Sequence, residues 1–408
     1  MSIIRVGICV LITFGVLAHG AVETWSESIL EIGAVALFLW WGFLAARGDS
    51  KEIRWTPVLW PLVGVEIIGL VQLAIPLSLY PYLTKLELLR LTSYLILLFL
   101  MTQAFRTPRQ WRAFAWFLVL LGFGVAVFGI LQDLTSNGKL YWVRELRFGG
   151  MIYGPYVNRN HFAGLMELII PVGLSMLAVQ GVRREQLPML AFCTALPIGA
   201  LFLCASRGGI VAFGFEVMFL ATLLWLRRGE KRYLLTFMVA LALAGALVAW
   251  LGVGQVMQRF SEMHGPEVSE GRRVSMMKSA WHIFKDYPIL GTGLGTTISV
   301  FPKYDTEYEG KIIDHVHNDH FELLAETGIA GGLCWLAFVI SLATYGIMNL
   351  SSRQDTMVHA VQLGALVACG GLMIHGMADF NLHIPANALL FYLLAGMASS
   401  SPVFEPTN

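Results

Sequence analysis

The seven residues from Asp314 to His320 contain three histidines and two aspartates, and an apolar stretch begins soon afterwards at Gly328. Imidazole and carboxylate groups exchange protons and bind metal ions. Ionisable groups at the edge of a membrane-spanning segment are costly and usually serve a function. This segment is therefore the first candidate for an active site.

A short helix is predicted to follow these histidines. Asp319 and Glu322 have the spacing of a capping box, which predicts a helix from about residue 319 to near Gly328. His317 directly precedes its N-terminus, where the positive end of the helix dipole disfavours imidazolium and favours a bound phosphate. This position suits a histidine that accepts a proton.

The histidines allow three interpretations. They could cap the helix and bond to loop carbonyls, as structural histidines do. They could bind Zn²⁺ together with the neighbouring carboxylates, although the HExxH signature is missing and no thiol is near. The third interpretation, which we favour, makes His317 a general base.

Arg207 is the second candidate. It lies in the turn Ser206-Arg207-Gly208-Gly209 between two apolar stretches, where the glycines suit the backbone but nothing demands an arginine. Its guanidinium could reach lipid headgroups from the membrane edge. It could instead hold a phosphate with two parallel hydrogen bonds, which we favour because a short turn fixes it in place.

The segments around these residues have the composition of membrane-spanning helices. Of the 408 residues, 56% are hydrophobic and only 13% are charged, and the mean hydropathy is +0.66. Soluble domains contain roughly 25% charged residues. A net charge of +1 without a basic tail argues against nucleic acid as a partner. The five cysteines lie in apolar stretches without CxxC spacing and indicate no disulfide framework.

The predicted fold class is all-α, a polytopic membrane bundle of about twelve transmembrane helices. An apolar run of roughly 20 residues crosses a bilayer as a helix. Candidate spans fall near residues 2–19, 29–46, 57–75, 86–105, 111–131, 161–180, 188–205, 208–226, 233–251, 328–349, 357–376 and 384–399.

Lysine and arginine concentrate in alternate short connections, which predicts that these connections and both termini are cytoplasmic. The long connections, about 132–160 and 252–327, then face outward. We divide the chain into N-terminal transmembrane helices (1–131), central transmembrane helices with the first outer loop (132–251), a large outer loop with candidate catalytic residues (252–327) and C-terminal transmembrane helices (328–408).

The large outer loop is predicted to be partly helical. Residues 273–287 have the pattern of an amphipathic helix with Met276, Met277, Ala280, Ile283 and Phe284 on one face. The glycine-rich turn from Gly291 to Gly295 is not a dinucleotide loop, because its third glycine is misplaced and no strand precedes it. Both outer loops contain cations. Long loops cross the membrane whatever their charge, but the same cations could form a cavity for an anionic substrate, and both readings stay open.

Several motifs resemble those of the O-antigen ligases and polymerases of bacterial envelopes, a superfamily related to some protein O-oligosaccharyltransferases. His317-Asn318, nine residues and then Gly328-Ile329-Ala330-Gly331 are similar to the family's ligase motif. The segments 154–164, 206–209, 286–291 and 379–387 are similar too. One departure concerns the loop helix, where the family often has an arginine four residues before a tryptophan. Here Arg273 fits the arginine, but Met277 takes the place of the tryptophan. The choice between Arg272 and Arg273 therefore stays open.

The resemblance implies a metal- and nucleotide-independent enzyme of the bacterial inner membrane whose active site faces the periplasm. It would transfer a glycan from an undecaprenyl-pyrophosphate donor to an acceptor hydroxyl, with lipid A-core the favoured acceptor. A polymerase of O-antigen or exopolysaccharide and a protein O-oligosaccharyltransferase are alternatives. A secondary transporter and a metal-dependent membrane hydrolase are more distant ones.

The residues and the resemblance together predict a site of three catalytic residues, His317, Arg207 and Arg273. The predicted substrate-binding residues are Arg272, Arg159, Asn158, Asn160, His315, Asn318, Glu326 and Asp379. In this hypothesis the arginines bind the pyrophosphate, while His317 deprotonates or orients the acceptor hydroxyl.

Overall fold

The computed structural model describes residues 1–48, 52–146, 150–226, 270–307, 310, 312–351 and 355–402. This part of the chain is all-α, as predicted, with isolated bridges but no strand. Its helices are α1 (Ser2–Leu17), α2 (Thr24–Ala46), α3 (Leu59–Ala74), α4 (Pro81–Ala104), α5 (Pro108–Leu134), α6 (Arg159–Ala178), α7 (Leu187–Leu203), α8 (Arg207–Leu226), α9 (Glu270–Asp286), α10 (Thr297–Val300), α11 (Asp319–Ser351), α12 (Thr356–His375) and α13 (Pro385–Ser399).

The bundle has the composition of a multi-pass membrane protein. Seven stretches in the described residues are long and apolar enough to cross a membrane, and they include α2, α5, α6, α8, α11 and α12. The helices α1, α3 and α13 are apolar but shorter. Each predicted span coincides with a helix except the one at 233–251, which lies outside the described residues.

The centre of the bundle is the pair α6 and α12. Every residue of the apolar window of α6 is buried, and α12 packs along α6 as well as against α8 and α13. The two backbones come close at Gly364, where a Cβ would lie 2.6 Å from the Cα of Val172. Polar residues near the ends of these two helices are therefore held inside protein and not in lipid.

The predicted amphipathic helix of the outer loop is α9. Its residues Met276, Ala280 and Ile283 are buried in a small second core that also contains Val316 and Ala325. This core fixes α9 against the beginning of α11, because Val316 and Ala325 flank the N-terminus of α11. The loop helix is thus packed directly beside the histidine segment.

Candidate active site

The histidine segment ends in a capped helix, but the cap differs from the predicted one. Asn318 Oδ1 accepts hydrogen bonds from the backbone N–H groups of His320 (3.1 Å) and Phe321 (3.0 Å), so Asn318 and not Asp319 caps α11. Asp319 instead points its carboxylate at His383, 3.0 Å away. Gly328 interrupts the helix with a φ of 62°, which agrees with the predicted end of the outer segment.

His317 lies against Asp379, which comes from the turn between α12 and α13. The distance from His317 Nδ1 to Asp379 Oδ1 is 3.5 Å. His317 has a positive φ of 51°, a conformation that non-glycine residues seldom adopt outside functional sites and turns. Its side chain is 13% exposed, whereas that of Asp379 is 2% exposed. One edge of the imidazole therefore lies against the buried carboxylate of Asp379, while another edge is accessible to solutes.

Phe380 is the common neighbour of the histidines at this site. Its ring centroid lies 4.8 Å from that of His161, 4.6 Å from that of His315 and 4.8 Å from that of His317. His315 stacks on the phenyl face, while the other two rings meet it edge to face. One buried side chain thus packs against three imidazoles from two parts of the chain.

Asp379 is surrounded by imidazoles. His161 Nε2 lies 3.8 Å from its Oδ1, and His375 Nε2 lies 4.0 Å from its Oδ2. Burial alone would raise the pKa of Asp379, but the imidazoles of His161 and His317 outweigh it and hold that pKa well below the ordinary range. Asp379 is therefore an anion that can keep a proton on a neighbouring imidazole.

These contacts are long compared with ordinary hydrogen bonds. Among the described residues, His317 Nδ1, His161 Nε2 and Asp379 Oδ2 have no hydrogen-bond partner. Buried polar atoms usually do have one. A set of such atoms at one place indicates a site arranged for a ligand or for a proton that moves.

The network continues inward through His375 to Glu167. Both residues are buried between α6 and α12, and His375 Nδ1 lies 2.9 Å from Glu167 Oε1. Asp379 thus contacts an imidazole that is itself held by a second carboxylate. The sequence analysis missed His375, although its spacing of four residues from Asp379, across the end of α12, could have pointed to it.

The start of α8 touches the same network, which brings Arg207 towards it. A Cβ on Gly208 would lie 2.7 Å from His375 Nε2, and one on Gly209 would lie 3.1 Å from Glu167 Oε1. Only glycine fits this close approach. Arg207 is exposed beside it and opens the helix. The turn of Arg207 and the segment of His317 therefore both contact one histidine-carboxylate cluster, the first at His375 and Glu167 and the second at Asp379.

Arg272 and Arg273 differ sharply in their surroundings. Arg272 is buried and makes two hydrogen bonds of 2.6 Å with the carboxylate of Asp305, which lowers the pKa of Asp305. The Nε of Arg273 is buried and has no partner among the described residues. Arg273 also lies one helical turn from Met277, whose sulfur is 3.3 Å from the Asn318 amide. Arg273 is thus on the face of α9 that looks towards the histidines.

Asn158, Arg159 and Asn160 begin α6. Asn158 caps the helix by accepting from the N–H of Asn160 at 2.9 Å. The side chain of Asn160 is buried and accepts a 2.8 Å hydrogen bond from Ser206, next to Arg207. Arg159 is half-buried. The asparagines therefore tie the start of α6 to the turn of Arg207, and Arg159 lies at this junction.

Glu326 is engaged elsewhere. Its carboxylate accepts hydrogen bonds from Gly295 N (2.9 Å), Thr297 N (3.0 Å) and Thr297 Oγ1 (2.8 Å). These contacts fold the glycine-rich turn onto α11. Substrate binding by Glu326 or by Arg272 stays a prediction, and the contacts of these two residues do not favour it.

Among the described residues, the group that could hold a metal ion is His315, Glu322 and His383. One ligand atom from each lies within 4.8 Å of the others, and three protein ligands are what a catalytic zinc site uses. The same residues also form a network of ion pairs. His315 Nδ1 is 2.7 Å from Glu322, and burial would lower the pKa of His383 but the Glu322 and Asp319 carboxylates raise it to about 10. Binding of a metal here would require His383 to release its proton, so the affinity would rise with pH.

Comparison with known proteins gives one family match, which covers part of the chain. Residues 192–336 match the family model described as O-Antigen ligase, a range that includes Arg207, α9, the glycine-rich turn and the histidine segment. No curated protein matches the chain. The match confirms the resemblance to the O-antigen ligase superfamily. It supports a membrane-embedded glycosyltransferase of the O-antigen ligase and polymerase family that acts on lipid-linked glycans.

Proposed function

We propose that this protein transfers a glycan from undecaprenyl pyrophosphate to an acceptor hydroxyl at the periplasmic face of the bacterial inner membrane, with lipid A-core as the acceptor. The observation that supports this most directly is the pairing of His317 with Asp379 at 3.5 Å, beside arginine-bearing helices from two other parts of the chain. An anionic leaving group needs cations, and an attacking hydroxyl needs a base.

In the proposed reaction His317 takes the proton of the acceptor hydroxyl. The acceptor oxygen then forms a bond to the anomeric carbon of the donor sugar, while the bond from that carbon to the pyrophosphate oxygen breaks. The electron pair leaves with the lipid pyrophosphate. The proton on the imidazole passes to the leaving oxygen or to solvent, so that His317 is ready for the next cycle.

Asp379 has the role of holding the His317 ring. When its carboxylate accepts from Nδ1–H, the other ring nitrogen, Nε2, carries the lone pair that faces the acceptor. A carboxylate that orients a histidine in this way also stabilises the imidazolium that forms. The low pKa of Asp379 fits this role, because the residue stays ionised throughout the cycle.

Arg207 and Arg273 would bind the pyrophosphate and stabilise the charge that grows on the leaving oxygen. The geometry favours Arg273 over Arg272, since Arg272 already holds Asp305 with both terminal nitrogens. The amide of Asn318 bonds to the backbone of Met377 at 2.7 Å, which ties the helix cap to the Asp379 turn. Cations and base would then be held by separate elements around one space.

The test is a deletion strain complemented with wild-type protein or with His317→Ala. Lipopolysaccharide gels should show bare core and accumulated carrier-linked glycan for the variant at normal expression. Full transfer by His317→Ala would remove this residue from the mechanism.

A polymerase is the nearest rival, because its donor is the same and its acceptor is another carrier-linked repeat. Its loss would leave core bearing a single repeat, which the same gel distinguishes. Inhibition by a chelator that added Zn²⁺ reverses would favour a metal-dependent hydrolase, since His315, Glu322 and His383 could supply the ligands.

A further inference from the structure

A long cavity lies between α1 and the first half of α5. Its volume is about 1410 Å³. Along most of its length the lining is apolar, with residues such as Val10, Phe14 and Phe117. Val6, Val10 and Leu17 line it and are 62%, 56% and 47% exposed. The cavity is therefore a groove that opens sideways along α1, an apolar helix.

The two ends of this groove differ in charge. Arg5 and Arg109 line one end, together with Thr107 at the N-terminus of α5. The other end is lined by His19, Trp25 and Tyr141. His19 is buried there, 3.3 Å from the carbonyl of Pro155. The arginine end belongs to the side where lysine and arginine concentrate, which the charge asymmetry predicts to be cytoplasmic.

The arginine end is built to hold an anion. Arg5 donates to the carbonyl of Ala104 at 3.0 Å and to Ser2 Oγ at 3.1 Å, so its guanidinium is fixed while other N–H donors stay available. Arg109 is exposed in the first turn of α5, where the helix dipole adds positive potential. Two arginines at the mouth of an apolar groove match a phosphate joined to hydrocarbon chains.

We infer that this groove binds one anionic glycerophospholipid from the cytoplasmic leaflet. Arg5 and Arg109 bind its phosphate, and an acyl chain lies along Val6, Val10 and Phe14. The lipid site is separate from the proposed glycan-transfer site. Its headgroup end lies at the N-terminal end of α1, whereas His19, which contacts Pro155, follows the C-terminal end of α1. It therefore does not depend on the proposed function.

The occupant is a phospholipid and not the polyprenyl donor, because of where the cations lie. The proposed donor carries its pyrophosphate at the face of His317 and Asp379. The Arg5 end would leave that pyrophosphate a full helix length away, since α1 has 16 residues and a helix rises about 1.5 Å per residue. An anionic lipid of the cytoplasmic leaflet has its phosphate at the arginine end already and does not need to reach the face of His317.

The test uses the full chain in nanodiscs made of phosphatidylcholine with a small fraction of phosphatidylglycerol, followed by extraction into detergent and native mass spectrometry. Wild-type protein should retain phosphatidylglycerol in preference to phosphatidylcholine. Arg5→Gln and Arg109→Gln should each lower retention about fivefold, the worth of one arginine at an anionic lipid, and the double variant about 25-fold.

Two controls make the result specific. Arg112→Gln removes an exposed cation from the same end of α5 that does not line the groove, and it should leave retention unchanged. Val10→Trp should lower retention by filling the groove, whereas Ile32→Trp on the exposed face of α2 should not. Equal retention of the two lipids by wild-type protein would overturn the inference. So would an equal loss in Arg112→Gln, which would reduce the effect to general surface charge.

Discussion

Two buried carboxylates, Asp379 and Glu326, stand in opposite kinds of environment. Glu326 receives three hydrogen bonds of 2.8–3.0 Å, one from Gly295 and two from Thr297, so both of its oxygens are satisfied. Asp379 faces three imidazoles at 3.5–4.0 Å, and one of its oxygens has no hydrogen-bond partner among the described residues. Both are almost fully buried.

This difference indicates that Glu326 stabilises the fold, whereas Asp379 is available for a role in the reaction. Satisfying a buried polar group stabilises a structure, whereas leaving it loosely paired costs free energy. A fold that tolerates such a cost at one place, next to a histidine with a positive φ, resembles other sites where strain coincides with function. The same contrast recurs between Arg272, which is paired with Asp305, and Arg273.

The largest effect should come from His317→Gln. It removes the proposed base, and transfer should fall by about 10²–10⁴-fold with little change in thermal stability. The matched control is His320→Gln in the same segment. His320 bonds to the Met373 carbonyl and to Trp335, so this variant should lose stability and keep transfer in the folded fraction. If both variants behave alike in both measurements, the contrast fails.

Arg273→Ala should reduce transfer by about 10²–10³-fold, the usual loss for one electrostatic donor, and leave stability near that of wild type. Arg272→Ala should do the reverse and lower the free energy of unfolding by about 1–3 kcal/mol, since it removes both hydrogen bonds between Arg272 and the Asp305 carboxylate. Transfer assays and thermal unfolding in detergent measure both. Retained transfer in Arg273→Ala would return Arg272 to consideration.

Asp379→Asn and Glu326→Gln test the opening comparison directly. Asp379→Asn should reduce transfer by about 10²-fold, the cost of misplacing a reacting group by about 1 Å, while the protein stays folded. Glu326→Gln should cost about 1–3 kcal/mol of stability, because an amide nitrogen then faces backbone donors. A large loss of transfer in correctly folded Glu326→Gln would contradict the structural role assigned to Glu326.

The smallest effect concerns pH. The pKa of Asp305 is lowered by its hydrogen bond with Arg272, so this pair stabilises the folded state above the ordinary aspartate pKa of 3.8 and loses that contribution as the pH falls below it. Unfolding curves between pH 2 and pH 5 should therefore show a steeper acid loss below pH 3.8 for wild-type protein than for Arg272→Ala. Parallel curves would mean that the pair is not formed in solution.

Much of the architecture could be predicted from the sequence, because lipid imposes length and composition on each span. The apolar runs coincided with helices in the described residues, and the loop helix at 273–287 was confirmed as α9. Of the five residues expected on its buried face, Met276, Ala280 and Ile283 are buried, whereas Met277 and Phe284 are partly exposed. His317 and the break at Gly328 could also be located, since a polar cluster and a glycine interrupt an otherwise apolar pattern.

The pairings within the site could not be predicted in the same way. The cap of α11 was assigned to Asp319, but Asn318 takes that place because Asp319 is drawn to His383, a residue 64 positions away in the chain. Likewise, nothing local shows that Arg272 pairs with Asp305 or that Phe380 contacts three histidines. Such contacts depend on how distant helices pack, and local periodicity does not encode them.

Gly328 separates α11 into two parts with independent helical phase. The backbone there is pinned from outside the helix, since the N–H groups of Ile329 and Ala330 donate to the carbonyls of Pro288 and Ile289 at 2.8 and 3.2 Å. In a continuous helix, one inserted residue would rotate everything beyond it by about 100°. Here the break at Gly328 uncouples the two parts of α11. The apolar part can therefore change in length and register without rotating the histidines that precede the break.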